Sequence, residues 1–250
     1  MLRIKLKEKS GSTGRSLHLQ IMQASDIKKF YDHIQFPGKY SRNELNYHIP
    51  KVRNNFLNLI DTHLNDANTI LDIGCGTGLI SNLFALKNPN KKFVALDFSN
   101  AVDYGSEFAK KQKINNVTYI KQDFTAYTDI QKYDVIICQG VLHHIPDYQS
   151  ALEKIQSIIN PSGKLIIGLY HPLGKILKKL INLDYKSDTL RLDQESNPFE
   201  ISFTQTAVKK MLSSAELIDC YPKNLLMTFV LHPIANSLNG GLITYVFQKN

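Results

Sequence analysis

Hydrophobic positions along the chain change their period after residue 64. Val52, Phe56, Leu59, Ile60 and Leu64 recur at helical spacing, so a helix opening at Pro50 is expected. From Asn68 onward, short apolar runs alternate with amphipathic stretches. The runs Thr69–Ile73, Lys92–Asp97, Val117–Lys121, Tyr133–Gln139 and Lys164–Tyr170 read as strands, and Leu79–Leu86, Asn100–Lys113 and Tyr148–Ile159 read as helices. A βαβ alternation of this kind builds a parallel sheet with helices on both faces. Right-handed crossovers then bring the C-terminal strand ends to one edge, where open α/β sheets bind ligands. A helix from Thr204 and strands near 217–222 and 242–248 extend this to an α/β sheet of seven mostly parallel strands.

The flanks follow other patterns. Residues 1–24 form an N-terminal appendage: LRIKLK alternates as an edge strand does, and Ser10–Gly14 is a flexible break. A short helix begins at Ser25-Asp26 and runs to His33, before Phe36–Gly38, so residues 25–66 read as a helical lid or cap. The main domain is 67–250, with an insertion at 171–203 that opens on a basic amphipathic segment, His171–Leu183. Of the net charge of +8, nearly all arises in residues 1–60, where eleven basic side chains face four acidic ones. That excess reads either as a solvated tail or as a surface for an anionic partner, nucleic acid included. With 43% hydrophobic residues and no apolar run near the ~18 that a membrane helix needs, a cytoplasmic protein is expected. Cys75, Cys138 and Cys220 are odd in number, far apart and outside any metal-ligand spacing, and read as buried thiols.

The chemistry concentrates in TILDIGCGTGLI, residues 69–80. A strand runs into Asp72, then into Gly74, Gly76 and Gly78 at alternate positions, then into a helix. Glycines here permit positive φ and let a ligand lie against bare backbone. A dinucleotide site is excluded on two counts. The third glycine of its GxGxxG spacing would fall on Leu79, and Asp72 would set a carboxylate beside a pyrophosphate. An acid at this position suits a cationic ligand.

On these residues the chain resembles the class I S-adenosylmethionine-dependent methyltransferases, whose first motif reads acid-x-Gly-x-Gly-x-Gly. Within that family it is similar to the small-molecule type of ubiquinone and menaquinone biosynthesis. The resemblance covers about residues 68–170 and implies a Rossmann-like fold and S-adenosylmethionine as cofactor, with S-adenosylhomocysteine as product. It implies that Asp72 faces the methionine portion, with Gly74, Gly76 and Gly78 packing near it and Cys75 and Thr77 lining the loop by backbone. Asp97, at the end of KKFVALD, would read the ribose diol, and Phe98 would pack on adenine. Asp123 would accept from the adenine amino group beside an apolar wall at Phe124. Gln139 and Gly140 would sit by the methionine portion.

A sulfonium is already a strong electrophile, so the protein's main task is alignment. His143 and His144, just past the fourth strand, are candidate general bases, His144 ahead of His143; the alternative is that they only fix their loop. No acidic cluster argues for a metal, and the Glu-x-x-Glu-His loop of the ubiquinone enzymes is departed from at Gly140 and His143. Metal-independent transfer follows. Tyr31 and Tyr40 in the lid and His171 past the fifth strand are candidate acceptor contacts, the acceptor being a small aromatic or acidic molecule and the protein a monomer or homodimer. Two alternatives stay open: an RNA methyltransferase, and a fold relative that binds the cofactor but catalyses a reaction other than methylation.

Overall fold

The computed structural model describes residues 24–51, 55–128, 131–172, 199–223 and 242–250. Strands β1 (Thr69–Ile73), β2 (Lys92–Asp97), β3 (Val117–Lys121), β4 (Tyr133–Gln139) and β5 (Ile159–Tyr170) pair in parallel. With β6 (Ala215–Tyr221) and β7 (Leu242–Lys249) they form one sheet of order β3-β2-β1-β4-β5-β7-β6. β7 runs antiparallel to both of its neighbours. One reversed strand in an otherwise parallel sheet gives the Rossmann-like, seven-stranded α/β architecture that the sequence implies.

The central strands are apolar on both faces because both faces are covered. Leu71, Ile73, Ile136, Cys138 and Ile167 face one core, completed by α6 (Tyr148–Ser157) and the helix that follows the insertion, α7 (Gln205–Met211). Ile70, Val135, Ile137, Ile166 and Val246 face the other, under α3 (Asn55–Leu64), α4 (Leu79–Lys87) and α5 (Ala101–Lys111). Alternation of strand residues between these two layers is the period-2 rule at work.

Three boundaries differ from the sequence reading. The single helix expected from Pro50 is two: α2 (Arg42–Lys51), which holds Pro50 in its last turn, and α3. A capping box starts α2, with the Ser41 amide donating to Glu44 Oε2 at 2.6 Å and the Glu44 amide to Ser41 Oγ at 3.3 Å. Leu45 is fully buried in the same core as α3 and α4, so only α1 (Ala24–His33) and the chain to Tyr40 overhang the sheet edge. Strand β5 starts at Ile159, five residues early, because Ile159 pairs with Tyr133 before an irregularity and the main ladder from Lys164. The edge-strand reading of LRIKLK, Val52 and most of the 171–203 insertion lie outside the described residues.

Candidate functional site

The turn from β1 into α4 is built on bare backbone. The Gly74 and Cys75 amides donate to the Leu96 carbonyl at 2.7 and 3.1 Å, hooking the loop onto β2. Gly76 has φ +53°, and a Cβ there would lie 2.1 Å from the Phe36 carbonyl oxygen. Gly78 has φ +74°, and its Cβ would lie 2.2 Å from the Tyr119 hydroxyl. A side chain at either position is excluded twice over, by conformation and by space.

Beside this loop, at the C-terminal edge of the strands, lies a cavity of about 1010 Å³. That is the upper end of the ~300–1,000 Å³ usual for a small-molecule site, and leaves room for two ligands. One end carries acids. Asp72 is 2% exposed and accepts from the Ser81 hydroxyl at 2.6 Å; burial pushes its carboxyl up to about 7 despite that bond, and Asp97 adds to the rise. Burial also raises Asp97, against the pull of its hydrogen bonds from Ser99 and Gly76. Among the described residues no cationic side chain pairs with either carboxylate. Lys154 borders the same cavity, but its ammonium donates to the Phe124 and Thr125 carbonyls at 2.9 Å each.

The Asp97 carboxylate is already well used. Its Oδ2 accepts from the Gly76 amide at 2.8 Å, and its Oδ1 accepts from the Ser99 amide and hydroxyl at 2.8 and 2.7 Å. Of the roughly four acceptor positions on a carboxylate, one on Oδ2 is left for a ligand.

The rest of the described lining is largely apolar and aromatic. The Tyr31 ring lies 6.2 Å from that of Phe98 and 5.9 Å from that of His144, and the His144 ring lies 6.2 Å from that of Tyr170. Its Nδ1 lies 2.9 Å from the Phe199 carbonyl, which can only accept. In the neutral ring the proton is therefore on Nδ1 and the lone pair on Nε2.

Of the residues singled out from sequence, Asp72, Gly74, Cys75, Gly76, Asp97, Phe98, Asp123, Gln139 and Gly140 border the cavity, as do His144 and Tyr31. The others stand elsewhere. Residues 142–144 form a 3₁₀ turn, which rotates successive side chains by about 120°. With His144 at the cavity, His143 is turned into the core against the Tyr170 ring, 4.3 Å away. A second 3₁₀ turn, Phe124–Ala126, is capped by Asp123, whose carboxylate accepts from the Thr125 amide and hydroxyl. It buries Phe124 in the core and offers Thr125 to the cavity in its place. His171 is buried outside the cavity, and burial lowers its pKa. Thr77 and Gly78 lie behind the loop, and Tyr40 is a strut rather than a lining residue.

Sequence reasoning overlooked Ser81, Ser99 and Thr125. For Ser99 and Thr125 a hydroxyl two residues after a strand-end acid is the available signal, since short hydroxyl side chains turn back onto carboxylates; Ser81, nine residues after Asp72 on α4, carries no such signal. All three cysteines are free, with Cys75 and Cys138 buried and Cys220 half-buried. Among the described residues no cluster of three His, Cys, Asp or Glu side chains is placed to hold a metal ion, and no helix is long and apolar enough to cross a membrane.

Comparison with known proteins bears on the family and the fold. A methyltransferase domain family matches residues 64–221. A ubiquinone biosynthesis O-methyltransferase of Coxiella burnetii is 36% identical over 98 residues, 38% of this chain and 41% of that protein. The chain thus spans about two fifths of the length of the curated relatives it matches first. Two solved structures share the fold. Magnesium protoporphyrin IX methyltransferase (ChlM) of Synechocystis PCC 6803, with bound S-adenosylhomocysteine, has a TM-score of 0.60 at 16% identity over 91% of this chain and 100% of that one. The N-methyltransferase NodS of Bradyrhizobium japonicum WM9, in complex with S-adenosylhomocysteine, has a TM-score of 0.59 at 12% identity over 89% and 98%. With the family match spanning the acid-ended glycine turn and all strands from β1 to β6, this chain belongs to the methyltransferase domain family, the class I S-adenosylmethionine-dependent group that its first motif resembles.

Proposed function

We propose that the protein binds S-adenosylmethionine and transfers its methyl group to a small-molecule acceptor, without a metal, with His144 taking the acceptor's proton. The observation that carries this reading is the pairing of Asp72 and Asp97, two buried carboxylates beside a glycine cradle and, among the described residues, without a cationic side chain. A cationic ligand restores to both the stabilisation that burial removed. The residues fit the cofactor in other respects. Phe98 and Thr125 border the end near Asp123, suited to a flat base with an amino group. The lone-pair position left on Asp97 Oδ2 takes one hydroxyl, and a second becomes available when the Ser99 hydroxyl rotates away.

The bound cofactor supplies an activated methyl group, and the remaining chemistry belongs to the chain. Gln139 is held by Thr244, to which its Nε2 donates at 2.9 Å, and stands with Gly140 at the sheet edge between the two ends of the cavity. His144, fixed by Phe199 through Nδ1, would take the proton of an acceptor hydroxyl or amine on Nε2, an atom buried in this structure, as the new bond forms. Phe56, Ile80 and Leu242 exclude water around the acceptor, and Tyr31, its ring 6.2 Å from that of Phe98 and 5.9 Å from that of His144, covers the junction with the cofactor. Of the two acceptor types, this lining favours a neutral aromatic one over an acidic one, because Lys154, the one Lys or Arg among its described residues, is taken up by two backbone carbonyls.

The test is a two-part assay on the intact chain. Titration calorimetry with S-adenosylhomocysteine is expected to show micromolar binding. A screen of neutral phenols and arylamines with S-adenosylmethionine is expected to release S-adenosylhomocysteine. With a working acceptor, His144→Gln lowers kcat by roughly 10²–10³ and leaves product affinity within about twofold. Unchanged turnover in that variant would remove His144 as the base, and absence of binding would remove the cofactor reading altogether.

A further inference from the structure

Thr77 is fully buried, yet all three of its hydrogen-bonding groups are engaged by one short piece of chain. Its amide donates to the Phe36 carbonyl at 2.9 Å, its hydroxyl donates to the Gly38 carbonyl at 2.9 Å, and its carbonyl accepts from the Tyr40 hydroxyl at 2.8 Å. Residues 36, 38 and 40 therefore strap the middle of the glycine loop at alternate positions. Only the last of these contacts uses a side chain on the strap, so only Tyr40 makes the attachment specific to sequence.

The Tyr40 hydroxyl is also oriented. A phenol has one proton to give, and Asn82 Nδ2 donates to the phenol oxygen at 2.7 Å. The proton is thereby committed to the Thr77 carbonyl. Asn82 is itself fully buried on α4 and anchored by a second bond, to the Gly105 carbonyl on α5 at 3.2 Å. The ring packs edge-on to Tyr104 at 5.3 Å and against Phe108 at 4.7 Å. The Tyr104 hydroxyl donates to the Tyr40 carbonyl and accepts from the Tyr40 amide. Two helices of the sheet's helical layer thus aim one hydroxyl at the loop on which Gly74 and Gly76 border the cavity.

We propose that Tyr40 is a positioning residue for the cofactor: through Thr77 it holds the glycine loop in its binding conformation and fastens the strap over it. The proposal rests on the cofactor reading above. It assigns Tyr40 a role different from the acceptor contact suggested by its sequence position. The Tyr40 hydroxyl touches neither His144 nor the Phe199 carbonyl that orients it, and the contact of the preceding helix with His144, through the Tyr31 ring, does not involve that hydroxyl. Loss of the hydroxyl therefore loosens the cofactor without altering the base.

The experiment compares wild type, Tyr40→Phe and Tyr104→Phe. Each variant keeps its ring and loses one hydroxyl, and only Tyr40→Phe loses a bond to the glycine loop. Calorimetry with S-adenosylhomocysteine is expected to show Kd raised by about fivefold in Tyr40→Phe, the size of one lost hydrogen bond, and by less than twofold in Tyr104→Phe. With an acceptor in hand, KM for S-adenosylmethionine rises in step while kcat at saturation and the pH profile stay unchanged. Equal Kd in wild type and Tyr40→Phe overturns the proposal, as does equal weakening in both variants, which would make the strap's general anchoring responsible. A wild-type chain that binds nothing overturns the cofactor reading instead, so the two failures are distinguishable.

Discussion

Asp72 is the side chain whose energetics change most when a cation arrives. Its carboxyl is pushed up from 3.8 to about 7, chiefly by burial. A carboxyl raised in the fold stabilises it in the protonated form; that contribution is complete below the unfolded value and is lost as pH climbs through about 7. The ligand-free wild type therefore loses stability between mildly acidic and neutral pH, and Asp72→Asn, which cannot ionise and can still accept from Ser81, loses less, keeping only the part due to Asp97. Calorimetric scans should find the two melting together at pH 4 and the variant melting higher at pH 8. Cofactor affinity runs the other way. In the wild type it rises from pH 5.5 to 7.5 as Asp72 ionises, with protons released on binding below pH 7, whereas Asp72→Asn binds weakly and without pH dependence. A variant that melts below wild type at pH 8 would contradict the account. The acid itself was legible, because a carboxylate before a glycine turn excludes a pyrophosphate. The partition between His143 and His144 was not. Sequence places two imidazoles side by side, and only the 3₁₀ turn decides which one reaches the cavity.

Among elements, the pair β1 and β4 at the centre of the sheet shows how a short polar anchor sets register. Asp134 Oδ2 accepts from the Asn68 and Thr69 amides at 2.8 and 3.0 Å and from the Thr69 hydroxyl at 3.1 Å, while Oδ1 accepts from Asn160 Nδ2 at 2.7 Å. Burial works to raise this carboxyl, and the donors together outweigh it and leave it below the usual value. A depressed carboxylate stabilises the fold above its unfolded pKa and ceases to do so as pH falls through its lowered folded value. Asp134→Ala is expected to cost about 1–2 kcal/mol near pH 7, the site being partly open to water, and less near pH 3. Urea titration at the two pH values measures the difference, and an equal cost at both would show that the charge is immaterial. The strands themselves were readable because each apolar run ends at a turn residue or an acid. Helix α2 does not follow from hydrophobic spacing although Ser41 and Glu44 spell its capping box, because its apolar content is low and Pro50 suits a first helical turn better than the last turn it occupies. The 3₁₀ turn at Phe124 is hidden for a different reason: at a strand end Asp123 reads as a ligand contact, and its capping of the Thr125 amide and hydroxyl shows only in the folded backbone.

At the scale of the whole molecule, the cavity is bordered by residues from Ile27 to Thr244, drawn from α1, α3, α4, α5 and α6, the ends of β1, β2, β4 and β5, and β6 and β7. No local stretch of sequence encodes such a site. The resemblance reached only its cofactor half, whose residues follow one another along the chain at strand ends. The overhanging segment and the β6–β7 edge enter by topology, because strand order β5-β7-β6 returns the C-terminal residues to the middle of the site. A ligand seated here contacts parts of both cores at once, so binding should stabilise the fold as one cooperative unit rather than the glycine loop alone. S-adenosylhomocysteine at a hundred times its Kd contributes about 2.7 kcal/mol to the native state. For a chain near this length, at roughly 2–4 °C per kcal/mol, the melting temperature should rise by about 5–10 °C. Differential scanning calorimetry decides between the two pictures. A single transition that moves upward by this amount means that the overhanging segment, the sheet edge and β7 melt together. A transition that splits on binding, with one part unmoved, means that the cavity joins regions which fold independently and that the ligand holds only one of them.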